Sequence, residues 1–359
     1  MKNLPTLSPE DLWTRLLHDS VRIIDVRAPV EFAAGSIPCS SNHPIMNDKE
    51  RAEVGTAYKM HGQQHAIELG HSLVQGPIKE ERVKAWIQEY QKDPAQTIVT
   101  CFRGGLRSQI TQTWLREKGI DVLRVAGGYK KTRQLLIDKI DEFCKSRELV
   151  VLTGKTGVGK TQLLSQVHTR PLLDLEALAK HRGSAFGGYS EPQPSQIDFE
   201  NGLAVSLGKF GLQSFKGPIL VEDESRLIGR CVLPDNFFAQ LRESPVLVLE
   251  ESLEVRVENT FQEYVVAPIA DPTLFPKLQE NLAKIKNKLG GLRYSEIASD
   301  LKTAEQSYND HRDLEPCKVW IEKLITWYYD PMYESSFQKR NPRILSKGNR
   351  QHILQELQK

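Results

Sequence analysis

The sequence has few cysteines and no long apolar run. Its five cysteines are scattered and include no Cys-x-x-Cys pair, which argues against a disulfide framework or a cysteine-rich zinc site. No stretch approaches the roughly 18 consecutive apolar residues of a membrane-spanning helix, and the polar start lacks the apolar core of a signal peptide. We therefore expect a cytoplasmic protein with reduced thiols and no membrane partner.

The chain also lacks a strong charge of either sign. Its 48 Lys and Arg face 46 Asp and Glu, a net charge of +2, so any nucleic-acid binding must come from local basic patches. Hydrophobic residues make up 39% and charged residues 26%, which excludes a chain that is disordered throughout. At roughly 150 residues per domain, the length predicts about two domains.

Strand and helix patterns alternate along the chain. Ser8 and Pro9 begin a predicted helix, apolar strands follow at 21–26 and 97–100, and an irregular stretch is expected up to about Gly76. A second unit begins with an apolar strand at 148–153, without a flexible linker before it. Alternating strands and helices predict an α/β fold with mostly parallel sheets. We place the two domains at residues 1–145 and 146–359.

A glycine-rich loop with a cysteine follows the strand predicted at 97–100. Successive backbone N–H groups, the start of a helix and two arginines all favour a thiolate at this cysteine. The paired glycines let the backbone curl around a small anion. The pattern predicts a nucleophile that accepts a chalcogen atom or attacks phosphorus. The catalytic residues predicted here are Cys101, Arg103, Gly104, Gly105 and Arg107.

The first half of the chain resembles the rhodanese domain family over about residues 8–140. The resemblance rests on motifs in family order: Ile23-Ile24-Asp25-Val26-Arg27, Glu31-Phe32, Gly35-Ser36-Ile37-Pro38, the Cys101 loop and Val125-Ala126-Gly127-Gly128-Tyr129. It implies a persulfide or perselenide on Cys101. The Cys-x5-Arg spacing from Cys101 to Arg107 is one residue longer than in common sulfurtransferases and closer to phosphatase loops, so the loop should admit a phosphate-like anion. Asp25 and Arg27 are interpreted as a structural pair.

A phosphate-binding loop follows the first strand of the second half. Residues 154–161 match Gly-x4-Gly-Lys-Thr between an apolar strand and a helix, the context in which this motif holds phosphates. Backbone N–H groups point at oxyanions, the lysine neutralises charge and the threonine can hold Mg²⁺. We assign phosphate binding to Gly154, Gly157, Gly159, Lys160, Thr161 and Asp223, with Thr161 and Asp223 as the Mg²⁺ ligands.

The sequence leaves two questions about this loop open: which acidic residue acts with it, and which ligand it binds. Asp223 follows the apolar strand at 219–221, but Glu222 and Glu224 beside it are candidates of the same kind. The loop contacts an anion rather than a base, so ATP, GTP and the diphosphate of another molecule fit it equally well.

Basic side chains gather in two places in the second half. One is a stripe beside an apolar helical face that ends at Gly290 and Gly291, and the other is a basic C-terminal stretch. Contacts with RNA phosphates are the functional interpretation, and an ordinary solvated surface is the alternative. The candidates are Lys277, Lys284, Lys288, Lys339, Arg340 and Arg343. We interpret a nearby aromatic group mainly as core, with base stacking as the alternative: Trp320, Trp327, Tyr328, Tyr329 and Tyr333.

The whole chain resembles the tRNA 2-selenouridine synthase family nearly from end to end. Besides the two loops, the resemblance rests on Gly55-Thr56-Ala57-Tyr58-Lys59, Leu69-Gly70, Val221-Glu222-Asp223-Glu224-Ser225-Arg226, Ile228-Gly229 and Tyr328-Tyr329-Asp330-Pro331-Met332-Tyr333. It implies an N-terminal rhodanese-like parallel-sheet domain, followed by a P-loop NTPase-like α/β domain with a helical C-terminal part.

The resemblance also implies a transferase that acts on the anticodon stem-loop of tRNA. Sulfur in the wobble 2-thiouridine would be replaced by selenium from selenophosphate, after geranyl diphosphate has alkylated that sulfur. Both compounds are co-substrates, and no organic prosthetic group is expected. The alternatives are a nucleotide-dependent tRNA sulfurtransferase, which nucleotide turnover would favour, and a non-catalytic rhodanese fusion that senses anions, which full activity of Cys101→Ser would favour.

Overall fold

The computed structural model describes residues 4–181 and 191–358. The chain divides into two compact units. The first comprises the chain up to Phe143 together with Pro194–Ser214, and the second comprises Cys144–Gln193 together with the chain from Phe215 onward. Among the described residues, no helix combines the length and the apolar character needed to cross a membrane.

The first unit is built on a five-stranded sheet. Its elements up to the unit boundary are, in chain order, β1 (Thr6–Leu7), α1 (Pro9–Leu17), β2 (Arg22–Asp25), α2 (Pro29–Ala33), β3 (Ser40–Asn42), α3 (Asp48–Leu73), α4 (Gly76–Gln91), β4 (Thr97–Thr100), α5 (Leu106–Arg116), β5 (Leu123–Val125) and α6 (Gly128–Ser146). The strand order is β1-β5-β4-β2-β3, and every neighbouring pair is parallel. The prediction of a parallel α/β fold is confirmed.

In the first unit, the prediction from local sequence is confirmed for α1 and is wrong for α3. Ser8 caps α1 as predicted, because its Oγ accepts the backbone N–H of Asp11 at 3.0 Å and Pro9 occupies the first turn. The stretch expected to be irregular up to Gly76 instead contains α3, which is interrupted at Gly62 with a φ of +83°. That prediction was wrong because α3 buries too few residues to show an apolar stripe.

The second unit combines another parallel sheet with a helical part. Its chain segment contains β6 (Leu149–Thr153), α7 (Lys160–Leu164), β7 (Leu172–Leu173), α8 (Leu175–Ala179), then α9 (Gln196–Phe210), which belongs to the first unit, followed by β8 (Ile219–Glu222), β9 (Leu227–Ile228), β10 (Cys231–Val232), α10 (Asp235–Glu243) and β11 (Val246–Leu249). Beyond β11 lie α11 (Leu253–Phe261), a π-helix (Gln262–Val266), α12 (Leu274–Lys284), α13 (Lys286–Leu289), α14 (Gly291–His311), α15 (Cys317–Leu324), a second π-helix (Ile325–Tyr329), α16 (Asp330–Arg340), β12 (Ile344–Gly348) and α17 (Arg350–Gln358).

The sheet of the second unit places the phosphate-binding loop at a strand end. The strand order is β12-β11-β6-β8-β7, all parallel, so β6 lies between β11 and β8. The carboxyl ends of parallel strands meet at one edge, where ligands of such sheets bind. The loop after β6 and the acidic residues that end β8 therefore share that edge.

Helix α9 leaves the second half of the chain and packs within the first unit. The Ser36 backbone N–H donates to Asp198 Oδ1 at 2.7 Å, and Asn201 Nδ2 donates to the Ser36 carbonyl at 2.6 Å. Arg133 Nη1 donates to Asn201 Oδ1 at 2.7 Å. The division predicted at residues 145 and 146 counts α9 with the second domain, whereas its contacts place it in the first unit.

The helical part after β11 has its own apolar core. The residues predicted to share one apolar face, Leu278, Leu282, Ile285 and Leu289, are all buried in it, although the helix is divided between α12 and α13. Trp320 and Tyr328 lie in the same core, and Trp327 and Tyr329 pack against it, which confirms the interpretation of these four aromatics as core.

Candidate active sites

Cys101 lies at the end of β4, inside a closely packed loop. The residue is 3% exposed, and its thiol donates a hydrogen bond to Ser108 Oγ at 3.2 Å. Gly104 adopts a φ of +62°, and a side chain there would lie within 2.8 Å of the backbone nitrogens of Gly127 and Gly128. Only glycine fits this position, so the loop shape depends on it.

The two arginines of the Cys101 loop stand in different surroundings. Arg107 donates to both carboxylate oxygens of Glu31 at 2.6 and 3.2 Å, so its charge is already paired. Burial by itself would raise the pKa of Glu31, but the hydrogen bonds from Arg107 outweigh burial and lower that pKa. Arg103 is exposed and near the Phe102 ring, and it has no ion-pair partner in the described part of the chain. Arg103 is therefore the cation left to meet an incoming anion.

Asp25 and Arg27 form a buried pair at and just after the end of β2. The Arg27 guanidinium contacts the Asp25 carboxylate at 2.8 Å and donates to the Glu31 and Gly35 carbonyls at 3.0 and 2.9 Å. It also lies 3.8 Å from the centre of the Tyr129 ring. These contacts tie the end of β2 to the α2 segment, in agreement with the structural role predicted for the pair.

The phosphate-binding loop between β6 and α7 is held in shape by α11. Arg256 Nε donates to the Thr156 carbonyl at 2.9 Å, and Asn259 Nδ2 donates to the Gly157 carbonyl at 2.8 Å. Gly157 has a φ of +83°, and a side chain there would lie 2.6 Å from Thr260 Oγ1. The close approach of α11 therefore requires glycine at this position.

Lys160 faces carboxylates across the loop. Its Nζ lies 3.5 Å from Glu222 Oε1. Burial alone would lower the pKa of Lys160, but the nearby carboxylates of Glu222, Glu224 and Glu176 outweigh burial and raise that pKa. The ammonium group therefore keeps its positive charge for an anion bound at the loop.

Three buried glutamates gather beside Lys160. Carboxylate oxygens of Glu176, Glu222 and Glu224 all lie within 4.8 Å of one another. Burial, followed by the like charge of Glu222, raises the pKa of Glu176 to about 9 and that of Glu224 to about 8. Carboxylate oxygens are the ligands that Mg²⁺ prefers, so the chemistry of this group fits a divalent cation.

Asp223, predicted as a Mg²⁺ ligand, is engaged elsewhere. Thr153 Oγ1 donates to its Oδ2 at 2.6 Å, and Arg340 Nη1 donates to its Oδ1 at 2.9 Å. Glu222 and Glu224, in contrast, belong to the group of glutamates beside Lys160. We therefore replace Asp223 by Glu222 and Glu224 as the acids nearest the loop.

Comparison with known proteins finds matches to both halves of the chain. A family model described as the tRNA 2-selenouridine synthase AAA domain matches residues 147–359, and one described as a rhodanese-like domain matches residues 8–135. A tRNA 2-selenouridine synthase of Nitrosomonas europaea is 44% identical over 385 residues, covering 100% of this chain and 99% of its own. One of Bdellovibrio bacteriovorus is 45% identical over 370 residues, covering 97% of each chain. The chain belongs to the tRNA 2-selenouridine synthase family.

The basic residues predicted to bind RNA divide into exposed and buried ones. Lys288, Lys339 and Arg343 are exposed. Lys277 and Lys284 are also exposed and form surface ion pairs with Asp271 at 2.7 Å and Glu280 at 3.2 Å. Such pairs are weak and leave the lysines accessible.

Arg340 corrects that prediction. Its side chain is 2% exposed, and besides Asp223 it donates to the carbonyls of Leu241 and Arg242 at 2.6 and 2.9 Å. Its guanidinium is therefore committed to the end of α10 and cannot reach a tRNA phosphate. We therefore reassign Arg340 from RNA binding to a structural role.

Two groups near the sites were missed from the sequence. Ser108 lies close to the Cys101 loop and was given no role from the sequence, yet its Oγ accepts the only hydrogen bond assigned to the thiol among the described contacts. Glu176, at the start of α8, lies outside both motifs in the sequence, and the fold brings its carboxylate close to that of Glu222. No local signal marks Glu176, since a single glutamate in a short helix has no distinguishing pattern.

Proposed function

We propose that this chain is a tRNA 2-selenouridine synthase that replaces sulfur by selenium in wobble 2-thiouridine, with selenophosphate as the donor and a geranylated 2-thiouridine as the intermediate. The observation that carries the proposal is the presence of two different anion-binding loops in one chain of this family. One loop contains the Cys101 thiol and the exposed Arg103. The other offers Lys160 and loop amides without a nucleophilic side chain.

The first step belongs to the phosphate-binding loop. The sulfur of 2-thiouridine attacks C1 of geranyl diphosphate, the C1–O bond breaks, diphosphate leaves and the base loses its N3 proton. Lys160 and the loop amides stabilise the charge that develops on the leaving diphosphate. Mg²⁺, when bound, would screen the same charge, and the oxygens of Thr161, Glu222 and Glu224 fit it.

The alkylation has a chemical reason. The sulfur of an unmodified thiocarbonyl is a poor leaving group, whereas the alkylated sulfur departs as geranylthiol. The base is therefore activated before selenium arrives, and the two steps need two sites with different chemistry.

The second step belongs to the Cys101 loop, which binds selenophosphate. The Cys101 thiolate attacks phosphorus, the P–Se bond breaks and hydroselenide is released; hydroselenide then attacks C2 of the base, and the C2–S bond to geranylthiol breaks. Hydrolysis of S-phosphocysteine returns the thiol. This course needs no oxidant or reductant, whereas a perselenide on Cys101 would require the reduction of phosphorus. The selenium isotope pattern on the Cys101 peptide distinguishes the perselenide from the phosphoryl group.

One experiment tests the function as a whole. Purified protein is incubated with 2-thiouridine RNA, geranyl diphosphate and selenophosphate, each omitted in turn, and nucleosides are identified by mass spectrometry. We expect geranylated nucleoside without selenophosphate, and 2-selenouridine only when all three are present. Formation of 2-selenouridine without geranyl diphosphate would contradict the proposed intermediate.

A second candidate is nucleotide-dependent sulfur transfer to tRNA, which the match to an AAA domain favours. It requires ATP or GTP to occupy the phosphate-binding loop and to be hydrolysed during turnover. Addition of either nucleotide to the complete reaction separates the two functions: the proposed synthase is inhibited or unaffected, whereas a nucleotide-dependent enzyme is activated.

A further inference from the structure

Arg350, the first residue of α17, lies directly against the phosphate-binding loop of the second unit. Its Nη2 donates to Gln162 Oε1 on α7 at 2.7 Å. Gly159 of the loop has a φ of +80°, and a side chain there would collide with the same guanidinium nitrogen. The end of the Arg350 side chain therefore occupies the space beside the loop that the absent side chain of Gly159 leaves.

The fold keeps α17, and Arg350 with it, next to this loop. Ile353 and Leu357 of α17 are buried in the same apolar core as Leu163 of α7. At the start of α17, the Arg350 backbone N–H donates to Glu251 Oε1 at 3.2 Å. Both ends of the helix are thus anchored, so the position of the guanidinium follows from the packing of α17 against α7.

Arg350 differs from the two lysines of the loop in the groups that face its charge. Lys155 Nζ lies 2.6 Å from Glu334 Oε1, and Lys160 Nζ lies 3.5 Å from Glu222 Oε1. The Arg350 guanidinium contacts a neutral amide oxygen and forms no ion pair in the part of the chain that the structure describes. Its Nε is buried without a hydrogen-bond partner among the described contacts. The positive charge of Arg350 is therefore not compensated by a carboxylate.

The chemistry of a guanidinium suits the ligand of this loop. A diphosphate carries several negative charges, which a single lysine shared with a glutamate offsets only in part. Arginine stays protonated at any ordinary pH, and its planar fork donates paired hydrogen bonds to phosphate oxygens. An arginine without a carboxylate partner, held against a phosphate-binding loop, thus has the charge and the donors that the anion needs.

We propose that Arg350 is a second cation of the phosphate-binding loop, whose Nη groups donate to the diphosphate of the prenyl donor and stabilise the charge that develops as diphosphate leaves. The inference rests on the proposed function and adds to it a residue outside both loop motifs. The competing explanation is structural: Arg350 would serve only to tie α17 to α7 through Gln162. In that case removing either partner of the hydrogen bond would have the same effect.

The experiment compares the binding of inorganic pyrophosphate and of geranyl diphosphate to the full chain by titration calorimetry. Arg350→Ala removes the cation, and Arg350→Lys keeps a positive charge. Gln162→Ala removes the same hydrogen bond but leaves the cation in place. Lys347→Ala is the control for a lost positive charge, because Lys347 lies three positions earlier on β12 in an exposed ion pair with Glu250 at 2.8 Å.

We expect Arg350→Ala to weaken both pyrophosphate and geranyl diphosphate roughly ten- to hundredfold, the effect of losing hydrogen bonds from a charged donor. Arg350→Lys should restore part of that affinity, whereas Gln162→Ala and Lys347→Ala should bind both ligands like the wild type. The melting temperature of each variant is measured in parallel. If Arg350→Ala does not fold, the comparison of Arg350→Lys with Gln162→Ala decides, since only the former should bind more weakly than the wild type.

The inference and the proposed function can fail separately. Unchanged affinities in Arg350→Ala, or equal losses in Arg350→Ala and Gln162→Ala, would overturn the inference and make Arg350 a tie between two helices. The proposed function would still stand, because the wild-type protein would still bind geranyl diphosphate. A wild-type protein that binds neither pyrophosphate nor geranyl diphosphate would instead defeat the proposed function together with the second cation.

Discussion

At the residue scale, two arginines of the Cys101 loop look equivalent in sequence but have different surroundings in the structure. Arg103 and Arg107 lie two and six positions after the cysteine, and both were assigned to catalysis. The bidentate pair with Glu31 gives Arg107 a structural task, whereas Arg103 stays exposed. Removing either arginine should therefore affect a different measured property.

Arg103→Ala should weaken the use of selenophosphate and leave stability unchanged. A hydrogen bond to a charged group contributes about 1.5–3 kcal/mol, so the KM for selenophosphate should rise roughly ten- to hundredfold. Arg107→Ala should instead lower the melting temperature, because it leaves the Glu31 carboxylate without its bidentate partner. Arg103→Lys keeps the charge and should restore part of the affinity. An unchanged KM in Arg103→Ala would show that Arg103 does not meet the anion.

The glutamates beside Lys160 make stability depend on pH. Burial raises the pKa of Glu176 to about 9 from an ordinary value of 4.5. A carboxyl group with a raised pKa holds its proton more tightly when folded, so its contribution is complete below about pH 4.5 and is lost as the pH rises through about 9. In EDTA, the melting temperature should fall across this window. Glu176→Gln should flatten that fall, and a variant as steep as the wild type would contradict the assignment.

At the element scale, helix α9 shows how a segment can serve a unit that is distant in the chain. Asn201 is fully buried and joins the Ser36 carbonyl to Arg133. No local sequence signal shows which sheet α9 joins, because that choice depends on contacts between residues far apart in the chain.

Asn201→Ala should loosen α9 from the first unit. It leaves the Ser36 carbonyl without the amide donor, at about 1–3 kcal/mol, and this should appear as faster hydrogen exchange along α9. Lys209→Ala serves as the control on the same helix, since its ion pair with Asp19 at 2.7 Å is exposed and is expected to contribute about 0–1 kcal/mol. Equal exchange in the two variants would mean that Asn201 does not anchor the helix.

Among the structural elements, local motifs could be predicted from the sequence, whereas contacts between distant residues could not. Both anion-binding loops were predicted in their places between strand and helix, because each motif and its flanking apolar strand are local. Asp223 and Arg340 were misassigned because the two side chains bind each other, although they lie 117 positions apart in the chain. The long helix α3 was missed because an exposed helix leaves almost no apolar period in the sequence.

At the scale of the whole molecule, the proposed function gives the two loops two chemical tasks on one RNA. We propose that one loop stabilises a departing diphosphate and that the other supplies a nucleophilic thiol, and the described contacts assign no residue to both. Lys160→Ala should therefore reduce geranylation first, and Cys101→Ala should abolish selenium incorporation while geranylated RNA accumulates.

Mixing the two variants tests this division directly. Neither step attaches the RNA covalently to the protein, so geranylated RNA made by Cys101→Ala can dissociate and meet the intact Cys101 loop of Lys160→Ala. The mixture should form 2-selenouridine, measured by mass spectrometry, when neither variant does so alone. A double variant carrying both substitutions is the control and should yield neither product. Persistence of geranylated RNA in the mixture, at the level seen with Cys101→Ala alone, would show that both loops must act within the same chain.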